Sequence, residues 1–130
     1  MPEKSATPLI HYRRAGGMAG LDQRLTILED GRAVLDDRKS RSRSQVQATD
    51  AELANLQSLI DEVPGPRWHG PLTTIRQALL PRPHDFLRFE VRGARGRITG
   101  AAGRADADLA PLVAGLDELL ARAVRERRGD

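Results

Sequence analysis

Apolar and polar residues alternate over several short stretches of this chain and recur at helical spacing over two others. Leu9 to Arg13 alternates, with Ile10 and Tyr12 on one face and His11 and Arg13 on the other, and predicts a first strand. Gln23 to Glu29 alternates around Leu25 and Ile27 and predicts a second. Asp30-Gly31 then supplies a type I′ hairpin signal, and the return strand runs from Arg32 to about Asp36. A two-residue turn there places Ile27 opposite Val34, Leu28 opposite Ala33 and Glu29 opposite Arg32. Phe86 to Arg92, with Leu87, Phe89 and Val91 on one face, predicts the first strand of another hairpin. With Gly93-Ala94 as its turn, Phe89 falls opposite Ile98 and Glu90 opposite Arg97.

The helical pattern begins after Thr49-Asp50-Ala51-Glu52, a capping box in which the Thr49 hydroxyl and the Glu52 carboxylate each bond the other's backbone N–H. Leu53, Leu56, Leu59, Ile60 and Val63 follow on one stripe, and Pro64-Gly65-Pro66 ends the helix. A second helix is predicted from Leu109 to about Arg125, capped by Asp106 or Asp108 and tolerating Pro111 in its first turn. Its stripe is Leu109, Leu112, Val113, Leu116, Leu119, Leu120 and Ala123, with Arg122, Arg125, Arg127 and Arg128 near the end that favours positive charge.

Two segments fit neither period. Asp37 to Gln47 alternates serine with Arg38, Lys39, Arg41 and Arg43, and reads either as a mobile loop or as a solvent-facing edge strand. Residues 64–85 carry Pro64, Pro66, Pro71, Pro81 and Pro83, which exclude a long regular element, and Leu72 to Leu80 fits a short strand or two helical turns equally. Trp68 in this segment is either a core plug or a partner contact, the plug being preferred. The expected architecture is α+β: about four antiparallel strands with two helices packed on one face. Residues 1–7 read as a disordered tail, 8–127 as one domain and 128–130 as a C-terminal tail.

Composition narrows the function classes. At 130 residues a single core is expected, and with only Tyr12, Trp68, Phe86 and Phe89 as aromatics it must be built from aliphatic side chains. No apolar run approaches the ~20 residues of a membrane span, the N-terminal residues lack the apolar centre of a secretory signal, and cysteine is absent. A cytoplasmic monomer with no membrane partner is the expectation. Arginine makes up 19 of the 21 basic residues behind the net charge of +3, a skew that fits GC-rich coding better than selection for an anionic partner.

Catalytic chemistry finds little support. His11, His69 and His84 occur singly, none with a second ligand three or four residues on, so neither a metal nor another cofactor is expected. Acidic pairs such as Asp36-Asp37 and Glu29-Asp30 are explained by turns. There is no nucleophile elbow and no phosphate-cradling loop, and Gly16-Gly17 is followed by strand-like rather than helical sequence, against the dinucleotide fingerprint. The expectation is a protein that is not an enzyme.

Between the first two strands lies Arg14-Ala15-Gly16-Gly17-Met18-Ala19-Gly20-Leu21. Three glycines in five positions predict a turn or bulge with positive φ at Gly16, Gly17 or Gly20, carrying Met18 and Leu21 on a tight loop. A basic residue, a small residue, Gly-Gly, an apolar residue and Ala-Gly after a short strand resembles the opening of the emfourin family, small proteinaceous inhibitors of thermolysin-like metallopeptidases. Asp85-Phe86-Leu87-Arg88-Phe89-Glu90-Val91 is similar to that family's Asp-led aromatic strand, and a closing amphipathic helix follows in both. The likeness covers most of residues 8–127, its specific part being Gly-Gly-x-Ala-Gly. It implies inhibition by tight binding of a loop-bearing surface to the cleft of a thermolysin-like zinc peptidase, with Gly16, Gly17, Met18, Ala19, Gly20 and Leu21 as the partner-binding residues. Such peptidases favour a bulky apolar side chain just after the scissile bond, so the resemblance puts Met18 or Leu21 forward for that pocket. A purely structural turn, with Met18 or Leu21 plugging the core, stays open beside it. The alternative function is a basic module binding nucleic acid or an acidic protein through Arg38 to Arg43 and the C-terminal arginines. The lack of aromatic platforms near the basic stretch counts against nucleic acid.

Overall fold

The computed structural model describes residues 7–17, 20–68, 87–101 and 107–129. Six strands form one sheet: β1 (Pro8–Gly16), β2 (Leu21–Leu28), β3 (Arg32–Asp37), β4 (Ser42–Gln47), β5 (Leu87–Gly93) and β6 (Gly96–Ala101). Their order is β4-β3-β2-β1-β5-β6, and every neighbouring pair is antiparallel. Among the described residues two α-helices, α1 (Asp50–Glu62) and α2 (Ala110–Gly129), join the sheet in an α+β architecture.

Among the described residues the sheet has six strands rather than about four. The segment left open as loop or edge strand is the edge strand β4, whose only apolar residue, Val46, lies opposite Ala33. Hydrophobic pattern could not mark it. It is held by its ladder to β3 and by Ser44, whose Oγ donates to the Ala123 carbonyl of α2 at 2.7 Å.

Both hairpins adopt registers other than those expected from two-residue turns at Asp30-Gly31 and Gly93-Ala94. Ile27 pairs with Ala33 and Leu25 with Leu35, not Ile27 with Val34 or Leu28 with Ala33. The turn spans Glu29, Asp30 and Gly31; the Gly31 N–H donates to the Leu28 carbonyl at 2.9 Å, and Gly31 alone of the three takes positive φ, at 92°. This is a three-residue loop closed by a glycine bulge. The core decides between the registers, because the observed one puts Leu25, Ile27, Ala33 and Leu35 together on the buried face. In the second hairpin the turn is Ala94-Arg95, so Val91 pairs with Ile98 and Phe89 with Gly100. Glu90 lies opposite Thr99, yet its carboxylate still meets Arg97 diagonally at 3.2 Å.

One sheet face is buried. Ile10, Tyr12, Leu25, Ile27, Ala33, Leu35, Phe89, Val91 and Ile98 join Leu112, Leu116, Leu119 and Leu120 of α2 and Leu56 of α1 in a single cluster. The two helices meet where Gly115 stands so close to Leu56 that a Cβ would lie 3.1 Å from its Cδ2. Tyr12 ties β1 to α2 through a 2.5 Å hydrogen bond to Asp117, which Arg14 also approaches at 3.6 Å. Burial, then the neighbouring Asp117, pushes the Tyr12 phenol well above its ordinary range, so it remains a donor.

Helix α1 has the expected capping box, with Glu52 N–H to Thr49 Oγ1 at 3.1 Å and Thr49 N–H to Glu52 Oε1 at 2.9 Å. Arg122 also bonds Glu52, at 2.8 Å, and so serves α1 rather than only the end of its own helix. Thr49→Ala is expected to cost about 1 kcal/mol, read as a lowered denaturant midpoint with unchanged slope; an unchanged midpoint would mean the box adds nothing. In α2 the first helical bond runs from Val113 to the Leu109 carbonyl, so Leu109 rather than Asp108 holds the cap position. Asp106 lies outside the described residues.

Helix α1 has no basic residue in its last turn. Arg95, from the β5–β6 turn, supplies the cation instead: its Nη1 donates to the carbonyls of Ile60, Asp61 and Val63 at 2.8, 3.3 and 2.9 Å. Its guanidinium carbon lies 5.3 Å from the centre of the Trp68 ring, which packs against the core. Trp68 is thus a plug, as preferred. Most of the proline-rich segment that follows it, with Leu72 to Leu80, lies outside the described residues. Thr7, assigned by sequence to the tail, accepts from the Glu29 N–H at 2.9 Å.

Candidate functional site

The glycine-rich stretch is the β1–β2 turn. Gly16 ends β1 and pairs with Leu21, the first residue of β2, while on its other side it pairs with Leu87 of β5. Gly16, Gly17 and Gly20 all take positive φ, at 103°, 76° and 66°, and the Gly20 N–H donates to the Gly17 carbonyl at 3.1 Å. A side chain at any of the three would be strained, which accounts for the composition. Leu21 is half-exposed and stands outside the buried cluster, so it is not a core plug. Met18 and Ala19 lie outside the described residues.

The β3–β4 turn lies at the same end of the sheet. Its Arg38 N–H donates to the Asp22 carbonyl at 2.9 Å, one residue from Leu21. The basic stretch and the glycine turn, separate in sequence, are therefore neighbours. Arg41 closes this second turn with φ of 56°, a left-handed conformation unusual for a residue with a side chain. Asp37, nearly fully buried, accepts from the Ser40 N–H at 3.2 Å inside the turn.

The polar face of the sheet runs away from this end. Arg13 and Arg24 lie directly opposite each other on β1 and β2, and Asp22 accepts from Nε and Nη2 of both at 3.1–3.3 Å. Burial alone would raise the Asp22 carboxyl, but the bonds from Arg24 and Arg13 outweigh it and hold it below its ordinary value. Across β1, Glu90 meets Arg97 at 3.2 Å and Arg92 at 4.0 Å. Arg13, Arg24, Glu90, Arg92 and Arg97 line an open depression of about 580 Å³ together with His11, Thr26, Leu28, Val34, Asp36 and Arg43. Sequence reasoning placed Arg13 on the polar face and paired Glu90 with Arg97, but missed the Arg13–Asp22–Arg24 group. The signal was present: two strands joined by so short a turn bring like charges together, and like charges opposite each other need a counterion.

His11 sits in this depression with Nδ1 3.4 Å from the Thr26 hydroxyl. Burial first, and Arg92 second, lower its pKa, so it is neutral at neutral pH. Among the described residues no carboxylate orients its ring, and no group of three His, Cys, Asp or Glu side chains is arranged to hold a metal. Nor is any helix among them long and apolar enough to cross a membrane.

No family model, curated protein or solved structure matches the chain. Fold and site define its class: an α+β domain with helices on one face of a six-stranded antiparallel sheet, an arginine-lined opposite face, and a glycine turn at the end of its central strands.

Proposed function

We propose that the chain is a non-enzymatic proteinaceous inhibitor of a thermolysin-like zinc metallopeptidase, bound through the end of the sheet that carries Gly16 to Leu21. The carrying observation is the mounting of that turn. Its first strand, β1, is paired along both edges, so the chain entering Gly17 is held by β2 on one side and β5 on the other. Fixing the strand that leads into the turn lowers the conformational freedom lost on docking, which favours tight cleft binding. The choice of peptidase class rests on the Gly-Gly-x-Ala-Gly resemblance, and Met18, Ala19 and Leu21 are the residues assigned to the cleft.

The second reading, a basic module for nucleic acid or an acidic protein, is favoured by the convergence of Arg38, Arg41, Arg43, Arg13 and Arg24 near the same end. Ionic strength separates the two, since binding driven by exposed charges weakens as salt shortens the Debye length to ~8 Å or less. Purified protein is expected to slow peptide hydrolysis by a thermolysin-like peptidase at micromolar concentration, with modest salt dependence and no turnover of its own. Unchanged initial rates across a panel of such peptidases would remove the inhibitor reading.

A further inference from the structure

We propose that the polar face of the sheet is a docking surface for an acidic, extended segment of a partner protein. The proposal does not depend on the inhibitor reading. Across this face run two cross-strand rows, Arg43–Asp36–Arg24–Arg13–Glu90 and Gln45–Val34–Thr26–His11–Arg92–Arg97. With Asp22, these rows hold five arginines against three carboxylates. The surplus is arranged rather than scattered: each of two carboxylates is shared between two guanidiniums, Asp22 between Arg13 and Arg24, Glu90 between Arg97 and Arg92.

Sharing has two consequences. It fixes the guanidiniums in place, and it leaves each pair with net positive charge beside a depression. Arg13 and Arg24 spend Nε and Nη2 on Asp22, so Nη1 of each remains for an incoming acceptor. The lining of the depression also includes the apolar side chains of Val34 and Leu28, which lower the local dielectric and strengthen any ion pair formed beside them. Arg43, at the β4 side, makes no ion pair with the described residues and extends the cationic row towards the β3–β4 turn.

Geometry and chemistry select the occupant. Five strand spacings of about 4.8 Å separate β4 from β6, roughly 24 Å, or about seven residues of extended peptide. Guanidinium forks match carboxylates in plane and spacing. A single-stranded nucleic acid would instead call for aromatic platforms, and the described aromatic side chains are elsewhere: Tyr12 and Phe89 face the core and Trp68 lies under Arg95.

The test uses the intact chain and a fluorescein-labelled octaglutamate peptide, with an unlabelled octathymidine strand as competitor. Anisotropy is expected to report binding that weakens as salt is raised and that octathymidine displaces poorly. The double variant Arg13→Gln/Arg24→Gln is expected to lose about tenfold or more in affinity. Arg43→Gln, which breaks no ion pair among the described residues, is expected to lose about threefold and guards against a folding defect in the double variant. Arg125→Gln, on exposed α2 surface, is expected to change nothing. Absence of binding, equal loss in Arg125→Gln, full affinity in both sheet-face variants, or tighter binding of octathymidine than of octaglutamate would each overturn the proposal.

Discussion

On the proposed inhibitor function, Leu21→Ala is expected to weaken inhibition of a thermolysin-like peptidase by about thirtyfold or more, the cost of truncating a central interface anchor, while thermal melting stays within a few degrees of the parent. The expectation rests on a contrast within one strand. Leu21 and Leu25 lie on the same face of β2, but Leu25 is 1% exposed and embedded in the core, whereas Leu21 is half-exposed and outside it. Leu25→Ala should therefore cost about 2–5 kcal/mol and Leu21→Ala far less. Inhibition assays and melting curves on the two variants separate scaffold from site. A Leu21→Ala protein that melts early yet inhibits at full strength once folded would make the glycine turn structural and send the search for the inhibitory surface elsewhere.

Gly31→Val destabilises the domain by roughly 3 kcal/mol or more, combining left-handed backbone strain with overpacking. Gly31 has φ of 92°, and a Cβ there would stand 2.9 Å from the Ala48 carbonyl oxygen and 2.6 Å from the Gln47 amide nitrogen. The Gln47 side chain has room to swing away, but the Ala48 carbonyl does not, since the region is fixed by the Ala48 N–H bonding the Gly31 carbonyl at 2.8 Å. Gly20→Val is the control: its φ of 66° imposes strain, but a Cβ meets nothing within 4 Å. Urea denaturation of both variants is the measurement. Equal losses would mean that backbone strain alone governs and that the crowding at Gly31 is relieved at no cost.

The parts of the fold legible in the sequence were those where one local rule dominates. The capping box at Thr49 and Glu52 is written into four consecutive residues, and the alternation of Ile10 and Tyr12 names the buried face of β1 directly. Positive φ at Gly16, Gly17 or Gly20 was expected from composition in the same way, and all three take it. Registers were less legible because loop length and core pattern compete. Asp30-Gly31 favours a two-residue turn, but pairing Leu25 with Leu35 and Ile27 with Ala33 buries more apolar surface, and the loop lengthens to suit. Strand β4 was ambiguous because Val46 is its one apolar residue and because the Ala123 carbonyl that Ser44 bonds is remote in sequence. The same holds for Arg95, whose role at the end of α1 depends on a turn more than thirty residues away. For the site, the glycine turn could be read and its neighbours could not. Only the folded sheet brings Arg38 against Asp22 and gathers Arg13, Arg24, Arg92 and Arg97 around shared carboxylates.

The position of β1 between β2 and β5 divides the sheet by the time its parts need to find one another. Strands β1 to β4 form a meander in which each neighbour is the next strand along the chain, so its pairings close only short loops. The seam between β1 and β5 instead joins Gly16 to Leu87, across roughly seventy positions, and must meet the corresponding loop-closure entropy before any contact along it is gained. High contact order of this kind slows folding far more than it lowers stability. The glycine turn belongs wholly to the quickly assembled half, whereas its support along the far edge of β1 arrives only when the chain's second half has docked.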